Sequence, residues 1–414
     1  MTGNGTSATS FFSEDGVQTE EIRLHQTTVP FGLTSVSNPN VGIGGAYGTW
    51  GESCDNQALP SLINRQLGET LPDADLMELG QLGFVNRHRT PALSRDDDIE
   101  LEIEVGARLL RQAAAASGWD LAEVEAVLIG VSLPVVPDYI ERVARRAGIP
   151  ERALKVSVHK ACDGSVGSLH LALNPGLSAP GQLNIAERLF GKKVLLGGIE
   201  GLTRGLRNSH DKHALQLFGN GAGVIGVVPG KTMKFLTGKS YEVFDEEGVL
   251  GVHMYYPHSR RREPGRSLVE VSQEGQSIRV AGLMNEPKDG SAIAMAGPMG
   301  MVKLFVRSGV QVVSDVYEAY QALMQKLGET PRIAVAIVHH ANYKINKLKE
   351  KQLAGLGIKF PMPWLLSEFG NVSAASNMIA FLRQLPKLKP GDHVLIDGFG
   401  AGTYYDVLAV EMGT

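Results

Sequence analysis

The chain has 414 residues, 43% hydrophobic and 20% charged, with a formal net charge of −4 at pH 7. That balance suits a soluble protein with a sizeable core and argues against a general nucleic-acid binder or a strongly membrane-attracted surface. Two cysteines exclude a disulfide framework, and no apolar run approaches the ~20 residues of a membrane helix.

Residues 1–20 lack a basic start and an apolar core, so they read as a disordered polar tail rather than a signal peptide. With reduced thiols, this places the protein in the cytoplasm. Ile22 to Thr28 reads as a strand, and Phe31 to Gly51, rich in Gly, Ser and Asn, as loop. Within it, the stretch from Ser37 to Ser53, with Trp50 and the adjoining Cys54, looks like an insertion that either covers an entrance or lies passively on the surface. "DIELEIEVGARLLRQAAAASG" predicts an amphipathic helix ending at Gly118. A strand follows over Ala126 to Ser132, then a helix in "PDYIERVARRAGI". "KVLLGGIEG" and "GAGVIGVV" are continuous apolar runs of the kind found in buried strands. The second half repeats the theme. "SGVQVVSDVYEAYQALMQKLG" predicts a helix, "IAVAIVHHAN" a strand running into a polar turn, and "HVLIDGFGAGTYYDVLAVEM" a terminal hairpin.

A weak repeat is visible. The strand at Ala126 leads to the small-residue turn "ACDGSVGS", and the strand at Ala334 leads to "GNVSAASN". The copies lie about half the chain apart, as a duplicated α/β unit requires. "GAGVIG" matches a dinucleotide-binding pattern, but the run continues as strand to Pro229 instead of opening a helix. No two histidines sit at i, i+4 with a carboxylate, so neither a metal nor a cofactor is expected.

Three segments carry chemistry: "ACDGSVGS" with Cys162, "IVHHANYKIN" with His339, His340 and Asn342, and "EFGNVSAASN" with Asn371. A cysteine at a helix start gains thiolate stabilisation from the free N–H groups. A histidine and an asparagine can donate two hydrogen bonds to an oxyanion. Together they suit acyl transfer through a thioester followed by stabilisation of an enolate. Each segment alone is commonly structural; a lone buried cysteine usually packs a core.

On these segments the chain resembles the ketoacyl-ACP synthase III family of the thiolase superfamily. "ACDGSVGS" resembles the family's ACSGF nucleophile turn, "HHAN" its HQAN, and "GNVSAAS" its GNTSAAS. "LFGNGAGVIGVV" is similar to the FGDGAGA strand, with Asn220 where Asp is usual, and "DGFGAGTYYD" to the closing AFGGG segment. "LGFVNRH" and "MVKLFVRSGV" resemble two further family stretches. The resemblance implies a duplicated five-layer αβαβα thiolase fold, here a tail at 1–20 and halves at 21–230 and 231–414. It also implies a homodimer and a catalytic set of Cys162, His339 and Asn371. The oxyanion hole falls on the N–H groups of Cys162 and Ala401, and the acyl pocket on Val136 and Phe399. An acyl carrier protein is the implied partner, docking on Lys344, Lys347 and Lys351, with Arg260 and Arg261 either joining it or forming a solvated loop. Lys349 lies on the same basic helix.

The departures are informative. Met77 and Gln81 stand where coenzyme A-primed relatives have an adenine-clamping Trp and Arg, which favours carrier-bound donors. Val136 replaces a bulky aromatic and widens the expected tunnel. Asp163 puts a carboxylate beside the nucleophile, and His170 either tunes the thiol or packs the core. The implied activity is acyl loading on Cys162, then Claisen condensation with a second carrier-bound thioester. That step is either malonyl-decarboxylative or a joining of two long chains, of the kind used in polyketide pathways. The alternative is an acyltransferase delivering the acyl group to an oxygen or nitrogen nucleophile.

Overall fold

The continuous apolar runs become strands buried on both faces. The computed structural model describes residues 18–177, 184–242, 253–254, 269–282, 293–294, 302–401 and 403–413. The first half contributes β1 (Gln18–Arg23), β2 (Thr28–Asn38), β3 (Ile43–Trp50), the short pair β4 (Glu52–Asp55) and β5 (Asn86–Arg89), then β6 (Ala126–Gly130), β7 (Leu154–His159), β8 (Val194–Glu200) and β9 (Gly221–Val227). The second half adds β10 (Met233–Glu242), the two-residue β11 (His253–Met254), the hairpin β12 (Val269–Glu274) and β13 (Ser277–Gly282), the two-residue β14 (Ile293–Ala294), and β15 (Ile333–Val338), β16 (His393–Gly400) and β17 (Tyr404–Met412).

One sheet has the order β1-β2-β3-β9-β8-β6-β7-β13-β12 and the other β10-β17-β16-β15. In each, a central parallel pair (β8 with β6, β16 with β15) is followed by an antiparallel neighbour, β9 or β17. This is the repeat glimpsed in the sequence. The halves are not separate, however: the second-half strand β13 pairs in parallel with β7 and completes the first sheet.

The helices are α1 (Leu59–Leu67), α2 (Arg95–Ala116), α3 (Tyr139–Ala147), α4 (Gly164–Leu173), α5 (Ile185–Leu189), α6 (Leu202–Gly205), α7 (Lys212–Leu217), α8 (Gly309–Leu327), α9 (Tyr343–Gly355) and α10 (Ser376–Gln384). Strand alternation sorts the side chains into layers. Val127 and Ile129 of β6 face α2 and α3, while Leu128 faces the middle layer with Val166 and Leu169 of α4 and Ile379 of α10. On the far side, Ala336, Val338 and Leu395 of the second sheet pack against α8 and α9. The result is five layers, αβαβα.

Two expectations are corrected. Residues 31–51 are not loop: they form most of β2 and β3, and Gly44 is needed because a Cβ there would lie 2.1 Å from the Ala116 carbonyl oxygen. Trp50 is fully buried and Cys54 is buried in β4, so this stretch covers no entrance. Gln18 to Glu20, assigned to the tail, begin β1, while residues 1–17 lie outside the described residues. Among the described residues, no helix is long and apolar enough to cross a membrane.

Candidate active site

Two sharp turns face one another at the centre. After β7 the chain passes Lys160 (φ −124°, ψ 38°) and Ala161 (φ +48°) before Cys162 and α4. In the second half it passes Val372 (φ −112°, ψ 30°) and Ser373 (φ +45°) before α10. A left-handed non-glycine residue costs about 1–2 kcal/mol; such strain persists where the surroundings over-determine the backbone. Close packing does that here. A Cβ at Gly130 would sit 2.2 Å from the Gly164 carbonyl carbon, and one at Gly400 would lie 2.1 Å from the Lys160 oxygen.

Cys162 is 8% exposed. Burial pushes its thiol up to about 12, opposed by a hydrogen bond with the Ser373 side chain, while the nearby Glu200 carboxylate raises it further. At rest Cys162 is therefore a neutral thiol, despite its place just before α4. Ser373 also ties in Asn371: the Ser373 N–H donates to Asn371 Oδ1 at 2.9 Å, which turns the Asn371 amide NH2 away from the serine backbone. Cys162 and Asn371 thus share one residue as support.

The adjacent histidines have different settings. Leu365 N–H donates to His340 Nε2 at 3.0 Å, which leaves Nδ1–H to donate to the Val338 carbonyl at 2.7 Å. Both His340 nitrogens are engaged with backbone. The His339 Nδ1 has no hydrogen-bond partner among the described residues. His339 directly follows β15, its own N–H donating to the Asp397 carbonyl of β16, and its ring meets the edge of Phe305 at 6.3 Å. Burial lowers the His339 value to about 3, with the charge of Lys349 adding, so the imidazole is neutral.

Sequence reasoning did not single out four supporting groups: Ser132, Glu200, Phe305 and the buried Lys349–Asp397 ion pair. The signal available was an acid inside an apolar strand, in "GGIEG" and "VLIDGFG". Lys349, read from the sequence as one lysine of a basic helix, is fully buried against Asp397 and lies 4.8 Å from the Phe305 ring.

Asp163, the carboxylate next to Cys162 in sequence, sits in a buried cluster of its own. It is fully buried beside Lys160 and Asp406, and burial with the Asp406 charge holds it protonated. Asp406 stays ionised, paired with Lys160 and accepting from His170 Nδ1 at 2.7 Å. Asn174 donates to His170 Nε2, so His170 is a buried partner of Asp406. Asn220 spends its side chain on Thr203 and the Trp50 carbonyl.

Ala401 is buried at the end of β16, and Phe399 packs against Phe305 at 4.9 Å and Tyr405 at 5.0 Å. Val136 is 6% exposed and lies in the core cluster under α2 and α3. Lys344, Lys347 and Lys351 are exposed on α9, with Glu78 near Lys344 and Glu350 near Lys347. Arg260 and Arg261 lie outside the described residues. Met77 is half-buried and Gln81 exposed. Among the described residues, no group of three or more His, Cys, Asp or Glu is placed to hold a metal ion.

Two elbow-bearing halves in five layers define the thiolase fold, and comparisons with known proteins agree. Residues 324–412 match the model of the 3-oxoacyl-[acyl-carrier-protein] synthase III C-terminal family. A β-ketoacyl-[acyl-carrier-protein] synthase III of Lactiplantibacillus plantarum is 24% identical over 86% of this chain and 96% of its own; one of Symbiobacterium thermophilum is 26% identical over 76% and 84%. Among solved structures, the 3-oxoacyl-[acyl-carrier-protein] synthase III of Aquifex aeolicus superposes with a TM-score of 0.61 at 17% identity, covering 87% of this chain and 96% of that one. The priming β-ketosynthase of the R1128 polyketide pathway gives 0.57 at 20%, covering 92% and 96%. Residues 324–412 thus match the C-terminal part of that family, and over most of its length the chain is similar to β-ketoacyl-[acyl-carrier-protein] synthases III.

Proposed function

We propose that this condensing enzyme loads an acyl group from a carrier-bound thioester onto Cys162 and then transfers it to the carbon of a second carrier-bound thioester. The observation that carries the reading is the shared support of Cys162 and Asn371 on Ser373 at the paired elbows. In loading, Cys162 Sγ attacks the thioester carbon and the carrier leaves as its thiol; the N–H groups of Cys162 and Ala401 stabilise the oxyanion. In condensation, the neutral His339 and the Asn371 NH2 donate to the thioester oxygen of the acceptor. Loss of carbon dioxide from a malonyl group, or of an α-proton from a second acyl chain, supplies the carbanion. Carbon–carbon bond formation then releases the Cys162 thiolate.

The exposed Lys344, Lys347 and Lys351 on α9 suit an acidic carrier, and Met77 and Gln81 offer no adenine clamp. Val136 and Phe399 are the proposed pocket residues. The reading includes a cytoplasmic homodimer. Since β13 takes the edge of β7, pairing of two copies through the first sheet would use β1 or β12.

Intact-mass measurement after incubation with matched carrier-bound and coenzyme A-bound acyl donors tests this. A carrier-dependent mass gain on Cys162, discharged by malonyl carrier with formation of a ketoacyl product, is expected. Acylation elsewhere, or discharge only to oxygen or nitrogen nucleophiles, overturns it.

A further inference from the structure

The nucleophile is connected to a carboxylate through two hydroxyls. Glu200 ends β8 with its side chain fully buried. Its Oε1 accepts from Ser132 Oγ at 2.5 Å, from Ser132 N–H at 2.8 Å and from Ala374 N–H at 3.3 Å. Ser132 Oγ lies 2.8 Å from Ser373 Oγ, and Ser373 is the side chain that opposes the upward push of burial on the Cys162 thiol. Ser132 and Ser373 are both fully buried. A carboxylate only accepts, and each hydroxyl has one proton to give. With Glu200 ionised, Ser132 donates to Glu200, Ser373 to Ser132, and the Cys162 S–H to Ser373. The whole chain runs in one direction, from sulfur to carboxylate.

We propose that Glu200, acting through Ser132 and Ser373, accepts the proton of the Cys162 thiol when the acyl group is loaded. The proposal rests on the reading of Cys162 as the acylated nucleophile. The S–H bond breaks and its proton passes to Ser373 Oγ. Ser373 gives its own proton to Ser132 Oγ, and Ser132 gives its proton to Glu200 Oε1. Sulfur keeps the electron pair and forms the new C–S bond. Each hydroxyl is now reversed, and the carboxylic acid is the donor at the far end. The departing carrier thiolate takes a proton back through Ser373, and Glu200 returns to its ionised form. No proton is gained or lost overall.

Burial pushes Glu200 up to about 8, below the thiol at about 12, so the pair holds a single proton between those values. The titratable groups around Glu200 are Cys162 and Asp163 on the first elbow, Tyr139 of α3, and the Glu102–Arg204 pair against Gly201. Asp163 is neutral and Glu102 is paired with Arg204, which leaves Glu200 as the group that changes charge near pH 8.

The test is the pH profile of Cys162 alkylation by iodoacetamide, followed by peptide mass spectrometry, beside the profile of acyl loading. In the native protein both rates should rise about tenfold per pH unit up to about pH 8 and then level off. Glu200→Gln should lose the plateau and react about 100-fold more slowly at pH 8, with the rate still rising at pH 10. Ser373→Ala leaves the carboxylate in place but cuts the chain, and should show the same loss. If Glu200→Gln does not fold, Ser373→Ala decides by the same criterion. A native-like plateau in a folded variant overturns the relay. If the alkylation profile depends on Glu200 but no donor loads Cys162, the relay stands and the acyl-transfer reading fails. Normal loading with unchanged profiles gives the reverse.

Discussion

Ala161 and Ser373 share a left-handed backbone, +48° and +45°, and lie 212 residues apart; among the described residues no other non-glycine residue adopts a positive φ. On this register Cys162 corresponds to Ala374, and His159 to Asn371. One elbow carries the sulfur of Cys162, and the other carries the hydroxyl of Ser373.

Backbone strain at Ala161 should be measurable. Ala161→Gly removes about 1–2 kcal/mol of left-handed strain but adds about 0.5–1 kcal/mol of unfolded-state entropy. Its stability by urea denaturation should therefore stay within about 1 kcal/mol of native. Ala161→Val adds β-branching at a fully buried turn and should lose more than about 2 kcal/mol. Equal effects would mean that the turn geometry is not the constraint.

The two histidines should separate cleanly. His339→Ala should still take up an acyl group but condense about 100- to 1000-fold more slowly, having lost one oxyanion donor. His340→Ala strands the Leu365 N–H and the Val338 carbonyl. It should lower stability by about 1–3 kcal/mol, seen as a drop in Tm. Condensation assays and calorimetry on both variants check this.

Asp163 and Asp406 lie in one buried cluster but should respond differently. Asp163 is already neutral, so Asp163→Asn should leave acyl loading within about threefold, since no charge changes near the thiol. Asp406→Asn removes the buried carboxylate that meets both Lys160 and His170 and should cost about 3–5 kcal/mol. Denaturation of both variants at pH 7 gives the comparison.

Glu200 makes stability depend on pH in a defined direction. Its folded value, about 8, lies above the unfolded value near 4.5. The stabilising contribution is then complete below about pH 4.5 and is lost as pH rises through 8. Relative to Glu200→Gln, the native protein should lose roughly 1.4 kcal/mol per pH unit across that window. Paired denaturation curves from pH 5 to 9 measure the slope, and a flat difference would place the carboxyl in a solvated setting.

What could be read in the sequence was periodic or dense. The apolar runs at Ala126, Val194, Gly221 and Ile333 are strands because burial on both faces requires continuous apolar residues. The elbows stood out because small residues cluster where backbones nearly touch. The same reasoning failed at β3, where Gly44, Gly45 and Gly48 looked like loop. There the glycines make room: a Cβ at Gly48 would meet the Gly32 oxygen at 2.3 Å. Ser132, Glu200 and Asp397 each showed only as one polar residue in or beside an apolar run, a signal that names no partner. Their partners, Ser373 and Lys349, are distant in sequence.

The hairpin beside β7 also has a temporal meaning. β13 meets β7 across 122 residues of chain, at Lys155 and Ser277. A ribosome adding 5–20 residues per second needs roughly 6 to 25 s to make that stretch. Throughout that interval β7, the strand that leads into the Cys162 elbow, has an unpaired flank. An unpaired flank is a template for the same strand on a neighbouring nascent chain. Neighbouring ribosomes on one message would hold such flanks close together, so translation speed between residues 160 and 282 should govern how much of the protein is recovered in soluble form.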